Sequence, residues 1–319
     1  MSDTRPQGRL FRKYVVVIVV LVGGLLTASG LVELYLAYHD TKRAVISIQR
    51  EKVLAAAERI EMFVKEIERD VRGTTHAATG GATLASPGTQ SVALPKTLVV
   101  ALAEQREIDF LQLLRNVPVI MEVRHLDTSG KEQLRVSRLA LDAIGSGEDF
   151  SRTPAFLGAR SGNTYFSPVR FHNDSEPYMT IGVPSGRVPV EVTVTEVSLR
   201  AIWDVVSRIR IGHSGYAYVV DSGGRLIAHP DVSLVLQKRD LSGRAQVKAA
   251  REARSASSSE EAMAIIATGL DGKQGLVSYA AIASLGWFVF VEQPITEVFA
   301  PLQVAILWGV VILIVGLVL

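Results

Sequence analysis

Gly212 to Asp231 reads GHSGYAYVVDSGGRLIAHPD. An alternating run, Tyr216-Ala217-Tyr218-Val219-Val220, ends at Asp221-Ser222-Gly223-Gly224. A second short run, Arg225-Leu226-Ile227-Ala228-His229, stops at Pro230-Asp231. Two β-rich runs joined by a Gly-Gly turn form a hairpin, because the turn needs residues that accept positive φ. Asp221 suits the same turn, since a short carboxylate bonds backbone N–H groups just ahead of it. His229 reads as a structural residue at the strand end.

The same plan occurs earlier in the chain. Val119-Ile120-Met121-Glu122-Val123 runs to Leu126-Asp127, then Thr128-Ser129-Gly130-Lys131 turns and Glu132 to Arg138 answers. Strand, Asp, Ser-Gly turn, strand, twice and about 95 residues apart, indicates a duplicated module. Asn163 to Val169, Glu176 to Pro184 and Val188 to Val197 supply three more strands for the first copy. Leu199 to Ile209 is a linking helix. In the second copy Glu260 to Gly269 reads as short and irregular, and Gly275 to Ala283 and Gly286 to Gln293 close the sheet.

Helical periods precede the first copy. Ile46, Val53, Ile60 and Ile67 recur every seventh residue, with Ala57, Val64 and Val71 on the same beat. One apolar stripe of this kind serves either a helix packed on its own domain or a coiled-coil seam with a second copy. Residues 73 to 94 are rich in Gly, Thr, Ser and Ala and read as a loop. Pro95 to Asn116 is helical again, with Leu98, Leu102, Ile108, Leu111 and Leu114 as its stripe.

The two ends account for a positive mean hydropathy of +0.26. Tyr14 to Val32 carries no charge and follows Arg5, Arg9, Arg12 and Lys13. About 20 apolar residues span a bilayer as a helix, and a basic flank stays cytoplasmic. A cleaved signal peptide is the competing reading, but the run is long for one and no A-x-A site follows. Glu33, Tyr35 and Tyr38 fall at the outer interface. Leu302 to Leu319 is apolar apart from Gln303, and its ending inside such a run suggests a chain cut at a second span.

Charge is almost balanced, at +2, so nothing global favours nucleic acid, and the absence of cysteine excludes disulfides and thiolate chemistry. Gly212-His213-Ser214-Gly215 is no nucleophile elbow, because Tyr216 stands where Gly is required. Gly269-Leu270-Asp271-Gly272-Lys273 is a turn and not a phosphate loop. The six histidines show no metal-ligand spacing. These residues indicate no catalytic group, metal or cofactor.

The phrase Gly212-x-x-Gly215-Tyr216-x-Tyr218-Val219-x-Asp221, with its Gly turn and Leu226-Ile227-Ala228-His229-Pro230, resembles the membrane-proximal half of a double Cache sensor. Such sensors are the extracytoplasmic ligand-binding regions of many bacterial receptors. Tyr165-Phe166-Ser167-Pro168-Val169 and Pro177-Tyr178-Met179-Thr180-Ile181-Gly182-Val183-Pro184 resemble the distal half, so the likeness covers roughly residues 35 to 305. It implies an α+β fold, with two PAS-like antiparallel modules in series on a long N-terminal helix, flanked by two transmembrane helices. The expected divisions are a cytoplasmic 1–13, a first span 14–37, a stalk 38–72, a distal module 73–200, a proximal module 201–301 and a truncated second span 302–319.

The resemblance also implies a periplasmic sensor in the bacterial inner membrane, a homodimer that binds a small solute and passes a shift across the bilayer. The branch most similar is the sensor histidine kinases, whose phosphotransfer residues would lie outside this chain. A nucleotide or diguanylate cyclase, a chemoreceptor and a non-signalling anchored binding module are the alternatives. For the pocket, a carboxylate-bearing ligand calls for a fixed cation and hydrogen-bond donors. Arg135 and Ser137 share one face of a hairpin strand whose other face carries Leu134 and Val136. Arg152 precedes Thr153-Pro154-Ala155-Phe156, where related sensors carry an arginine–aromatic carboxylate clamp, although Ala155 and Phe156 stand in place of its aromatic pair. Tyr165, Tyr178 and Thr180 lie on strands that line the same space. Tyr216, Tyr218 and Asp221 are the polar candidates of the second module.

Overall fold

A computed structural model describes residues 8–80, 96–172, 176–185, 190–255 and 263–318. The first helix, α1 (Gly8–Gly80), runs unbroken for 73 residues and carries both the apolar segment and the stalk. From its middle onward the heptad stripe is buried: Val53, Ala57, Ile60, Val64, Ile67 and Val71 are all at most 5% exposed. Ile46, at the start of the stripe, is only half-buried. The stripe therefore packs on the chain's own sheets. Composition assigns 73–80 to a loop, yet α1 continues through it. Extending an established helix adds a hydrogen bond for each residue fixed, and the Thr74 hydroxyl donates to the Asp70 carbonyl at 2.9 Å. The remainder of the expected loop, 81–94, lies outside the described residues.

α2 (Lys96–Asn116) lies against α1. Its buried side keeps Leu114 of the expected stripe but turns away from Ile108 and Leu111. Phe110, Leu113 and Leu114 enter the core, whereas Ile108 and Leu111 are exposed. Phe110 offers the largest apolar surface, and the helix is turned so as to bury it. The side chains of Leu98 and Leu102 lie outside the described residues.

The distal module follows with β1 (Ile120–Leu126), β2 (Glu132–Ser137), β3 (Ala143–Ile144), α3 (Pro154–Arg160), β4 (Tyr165–Phe166), β5 (Arg170–His172), β6 (Glu176–Ser185) and β7 (Glu191–Ser198). Its sheet has the order β3-β2-β1-β7-β6-β4, with β5 also beside β6 and every pairing antiparallel. The strand expected over Asn163–Val169 is reduced to two residues, β4, because Pro168 has no N–H to offer a ladder.

α4 (Arg200–Arg208) leads into the proximal module and is pinned there, since Trp203 Nε1 donates to the Ile227 carbonyl at 2.7 Å. That module contains β8 (Arg210–Ile211), β9 (Gly215–Val220), β10 (Leu226–Ala228), α5 (Val232–Leu236), α6 (Ala245–Ser255), β11 (Met263–Thr268), β12 (Gln274–Ile282) and β13 (Trp287–Pro294). The order is β10-β9-β13-β12-β11, with β8 beside β9, again antiparallel. Within the stretch 260–269, expected to be irregular, Met263–Thr268 is a strand; 260–262 lie outside the described residues. β11 pairs with β12 in unbroken register from Met263↔Tyr279 to Thr268↔Gln274, and this pairing outweighs a weak local pattern.

The two modules repeat one another down to single hydrogen bonds. Asp127 Oδ1 accepts from the N–H groups of Ser129 at 2.8 Å and Lys131 at 3.0 Å. Asp221 Oδ1 accepts from Gly223 at 2.9 Å and Arg225 at 2.8 Å. Gly130 and Gly224 occupy equivalent corners at φ +86° and +96°. A Cβ on Gly130 would lie 2.5 Å from the Ser151 backbone, and one on Gly224 would lie 2.6 Å from the Ser242 side chain and 2.7 Å from its backbone. Isolated bridges Lys131↔Asp149 and Arg225↔Asp240 complete the match.

α7 (Ile295–Val298) and α8 (Ala300–Val318) end the chain, and Tyr38 of α1 stacks on Phe299 at 4.8 Å between centroids. Among the described residues one helix, α1, is long and apolar enough to cross a membrane, and its apolar window is unburied; α8 has a shorter apolar stretch, Ala300–Val311.

Gly224→Ala is expected to destabilise the protein by more than 1 kcal/mol, about the ordinary limit of a glycine effect, because positive φ and the Ser242 contact both oppose a side chain. Gly243→Ala, in open space, should stay within about 0.5 kcal/mol of wild type. Chemical denaturation of the two variants checks the pair.

Candidate ligand-binding site

Each sheet turns one face to α1. In the distal sheet that face carries Val123, Val136, Ile181 and Val183, all in the core. Side chains alternate along a strand, and directly paired residues share a face. The opposite face is therefore fixed by register. One row runs Arg135–Arg124–Val194–Gly182–Tyr165 across five strands. The next runs Ser137–Glu122–Glu196–Thr180, and a third runs Arg170–Tyr178–Ser198. Arg135, Ser137, Tyr165, Tyr178 and Thr180 thus share one outer face.

α3 covers one end of that face. Phe156 and Ala159 pack on Leu126 and Val192. Thr153 caps the helix by accepting from the Phe156 N–H, and Pro154 opens its first turn. Gly182 allows the close approach, since a Cβ there would sit 2.7 Å from the Ala155 carbonyl. Arg152 lies exposed just before this helix, where its charge acts on Asp149, and not on the sheet itself. Ser137 is engaged locally: its Oγ accepts from the N–H groups of Leu139 at 3.1 Å and Ala140 at 3.2 Å.

Arg135 is half-buried, and its Nε is shielded from water without a hydrogen-bond partner. Arg124 beside it is held by Glu122 at 2.5 Å, by Glu132 at 3.7 Å, and over the Phe150 ring at 4.8 Å. Glu132 is fully buried and accepts from the Ser146 hydroxyl at 2.7 Å, leaving Oε2 without a hydrogen bond. Burial, and then the charge of Glu122, push the Glu196 carboxyl above its usual range. Glu122, Glu132 and Glu196 were not singled out from sequence. The signal was there in part, since Glu122 and Arg124 alternate on β1 with the parity that Arg135 and Ser137 have on β2.

The outer face thus offers cations and carboxylates side by side. Guanidinium N–H groups recognise a carboxylate, and acidic side chains recognise an ammonium. On the other face His125 is buried with Nε2 3.2 Å from Glu191; burial holds its pKa down, and that contact holds Glu191 below its usual range. In the proximal module Asp221 is committed to its turn, and Tyr216 and Tyr218 belong to an aromatic face against α6. Among the described residues no group of three His, Asp or Glu side chains is placed to hold a metal ion.

A family model described as Cache domain matches residues 37–302. The chain belongs to the Cache domain family. Solved structures match it as well. An extracellular domain ascribed to the histidine kinase mmHK1S-Z2 aligns with a TM-score of 0.62 at 12% identity, over 80% of this chain and 99% of that one. The sensory domain of the Campylobacter jejuni chemoreceptor Tlp3 gives 0.60 at 10% identity, over 82% and 97%. The ligand-binding domain of the Pseudomonas aeruginosa PAO1 amino acid chemoreceptor PctB, in complex with L-Gln, gives 0.52 at 19%, over 79% and 92%. At these identities the likeness establishes the fold. No curated protein sequence matches the chain.

Glu196→Gln is expected to be more stable than wild type at neutral pH. A carboxyl whose folded pKa is raised contributes stability that is complete below its unfolded value of 4.5 and is lost as pH rises through the folded value. The advantage of the glutamine should shrink to nothing as pH falls below 4.5. Thermal melts across that window read it directly.

Proposed function

We propose that this chain is the ligand-sensing region of a bacterial membrane receptor, with α1 and α8 crossing the inner membrane and both modules in the periplasm. The single observation that carries the reading is the mixed-charge outer face of the distal sheet. Arg135, with an unpartnered buried Nε, lies two registers from the Glu122–Glu196 pair. Such a face suits a small zwitterion, with its carboxylate on Arg135 and its ammonium toward the acids. Tyr165, Tyr178 and Thr180 then supply hydrogen bonds, Ser137 borders the site, and Arg152 guards its entrance beside α3. The L-Gln bound by the PctB domain is a ligand of the same class and supports the reading.

Ligand binding shifts the receptor by favouring one packing of the helices over another, and only as far as its affinities for the two differ. The output of the receptor is a histidine kinase, in line with the receptor ascribed to mmHK1S-Z2. A chemoreceptor output is the second reading, supported by the Tlp3 likeness, and a cyclase output fits the same sensor. The receptor works as a homodimer. A groove of about 880 Å³ between α1 and α4, lined by Ala56, Ile60, Met62, Phe63 and Val205, is wide enough to receive apolar side chains from a second copy.

Calorimetric titration of the purified chain with single amino acids tests the pocket. Arg135→Ala should weaken the best ligand by about 1.5–3 kcal/mol, about tenfold to a hundredfold, because a charged hydrogen bond is lost. Arg152→Ala should weaken it less. Unchanged affinity in both variants would place the site elsewhere.

A further inference from the structure

A second polar cluster lies in the proximal module, between its sheet and α6. Glu292 of β13 stands opposite Tyr216 of β9. The ring of His229, just after β10, is 5.1 Å from that of Tyr216, and Gln246 of α6 reaches the Tyr218 hydroxyl at 3.4 Å. Glu292, Gln246 and His229 are 2%, 1% and 8% exposed. Glu292 Oε2, Gln246 Oε1, Tyr216 Oη and His229 Nε2 are each buried without a hydrogen bond of good geometry. The Asp231 N–H donates to His229 Nδ1 at 2.9 Å. Unpartnered buried polar atoms cost stability, so four at one spot form a cluster that one added donor can relieve.

The charged surroundings favour a proton as the occupant. Asp271, in the β11–β12 turn, repels the Glu292 carboxylate, while Arg244, ahead of α6, attracts it. Tyr216 and Tyr218 face it from β9, each with its own ionisation pushed up by burial. β12 presents Val277 opposite Glu292 and adds no charge. Burial first, and then Asp271, push the Glu292 carboxyl up to about 7, while Tyr216 and Arg244 oppose the rise.

The next residue connects this spot to both ends of the module. Gln293 points to the opposite face, where Gln49 of α1 donates to its Oε1 at 3.3 Å and the Ser278 hydroxyl donates to Gln49 Oε1 at 2.8 Å. Gln293 Nε2 donates to Glu297 at 3.2 Å. Glu297 of α7 in turn accepts from the N–H groups of His213 at 2.5 Å and Ser214 at 2.9 Å, directly ahead of α8. Gln293 therefore ties β13 both to the stalk and to α7, the short helix that precedes α8.

We propose that Glu292 is a proton-binding site of the proximal module, a second input separate from the distal solute site, read out through Gln293. The proton passes from water to Oε2, and the resulting O–H is a donor placed in a cluster whose Gln246 Oε1 lacks one. The raised carboxyl contributes stability that is complete below 4.5 and lost as pH rises through about 7, so acid favours the packing of β13 under α6 described above.

The chain has no native cysteine, so a Glu51→Cys, Thr296→Cys pair places spin labels on exposed positions of α1 and α7 alone. Infrared spectra and label distances are followed against pH on the full chain in nanodiscs. A protonated-carboxyl band with a midpoint near 7 is expected, lost in Glu292→Gln, with a distance shift at the same midpoint. Glu292→Gln should hold the acid-side distance at every pH. Gln293→Leu should keep the band but lose the shift, and Arg135→Ala should keep both, which separates this site from the distal one. The proposal is overturned if no band that Glu292→Gln removes titrates near neutral pH, or if it titrates while the distance stays fixed.

Discussion

Burial of one face of α1 is the constraint on which the rest of the molecule depends. Val53, Ala57, Ile60, Val64, Ile67 and Val71 are withdrawn from water against the two sheets. A fully buried aliphatic side chain of the larger kind contributes about 1.5–3 kcal/mol, so the stripe is a major share of what holds the modules in line. Polar contacts then fix the register of the helix along them. Gln49 and Lys52 bond the proximal module, and Arg72 bonds Thr164 of the distal one.

That packing also decides where chemistry is located. Because α1 covers one face of each sheet, the charged row across β2, β1 and β7 lies on the other face of the distal sheet. The frame of the two modules is the same, with matching Asp-capped turns and matching positive-φ glycines. The outer faces are filled differently. The distal face carries Glu122, Arg124, Arg135 and Glu196, whereas the proximal face carries Tyr218, Phe288 and Phe290, with Tyr218 and Phe290 stacked at 5.1 Å. One frame therefore supports a charged face in one copy and an aromatic core with the buried carboxylate of Glu292 in the other.

Much of this was legible in the chain itself. The turn at Asp221-Ser222-Gly223-Gly224 and its earlier counterpart at Asp127-Thr128-Ser129-Gly130 fix two hairpins, because positive φ and short-range carboxylate bonding are local properties. The period-seven stripe fixes α1, because it records which side of a helix is to be buried. The shared face of Arg135 and Ser137 was readable from parity alone.

What the sequence could not determine depended on partners distant along the chain. β11 is a strand because β12 lies beside it, and α2 buries Phe110 because of how it meets α1. Glu196 comes to lie beside Glu122 only because β7 is inserted between β1 and β6, a non-local order that no short-range pattern encodes. Glu292 looks like any strand glutamate until Tyr216, His229 and Gln246 close over it. The sequence by itself determined the local geometry and the repeated plan, since these follow from backbone sterics and periodicity. Only the tertiary structure decided which charges meet and which are buried, since burial is a property of the packed whole.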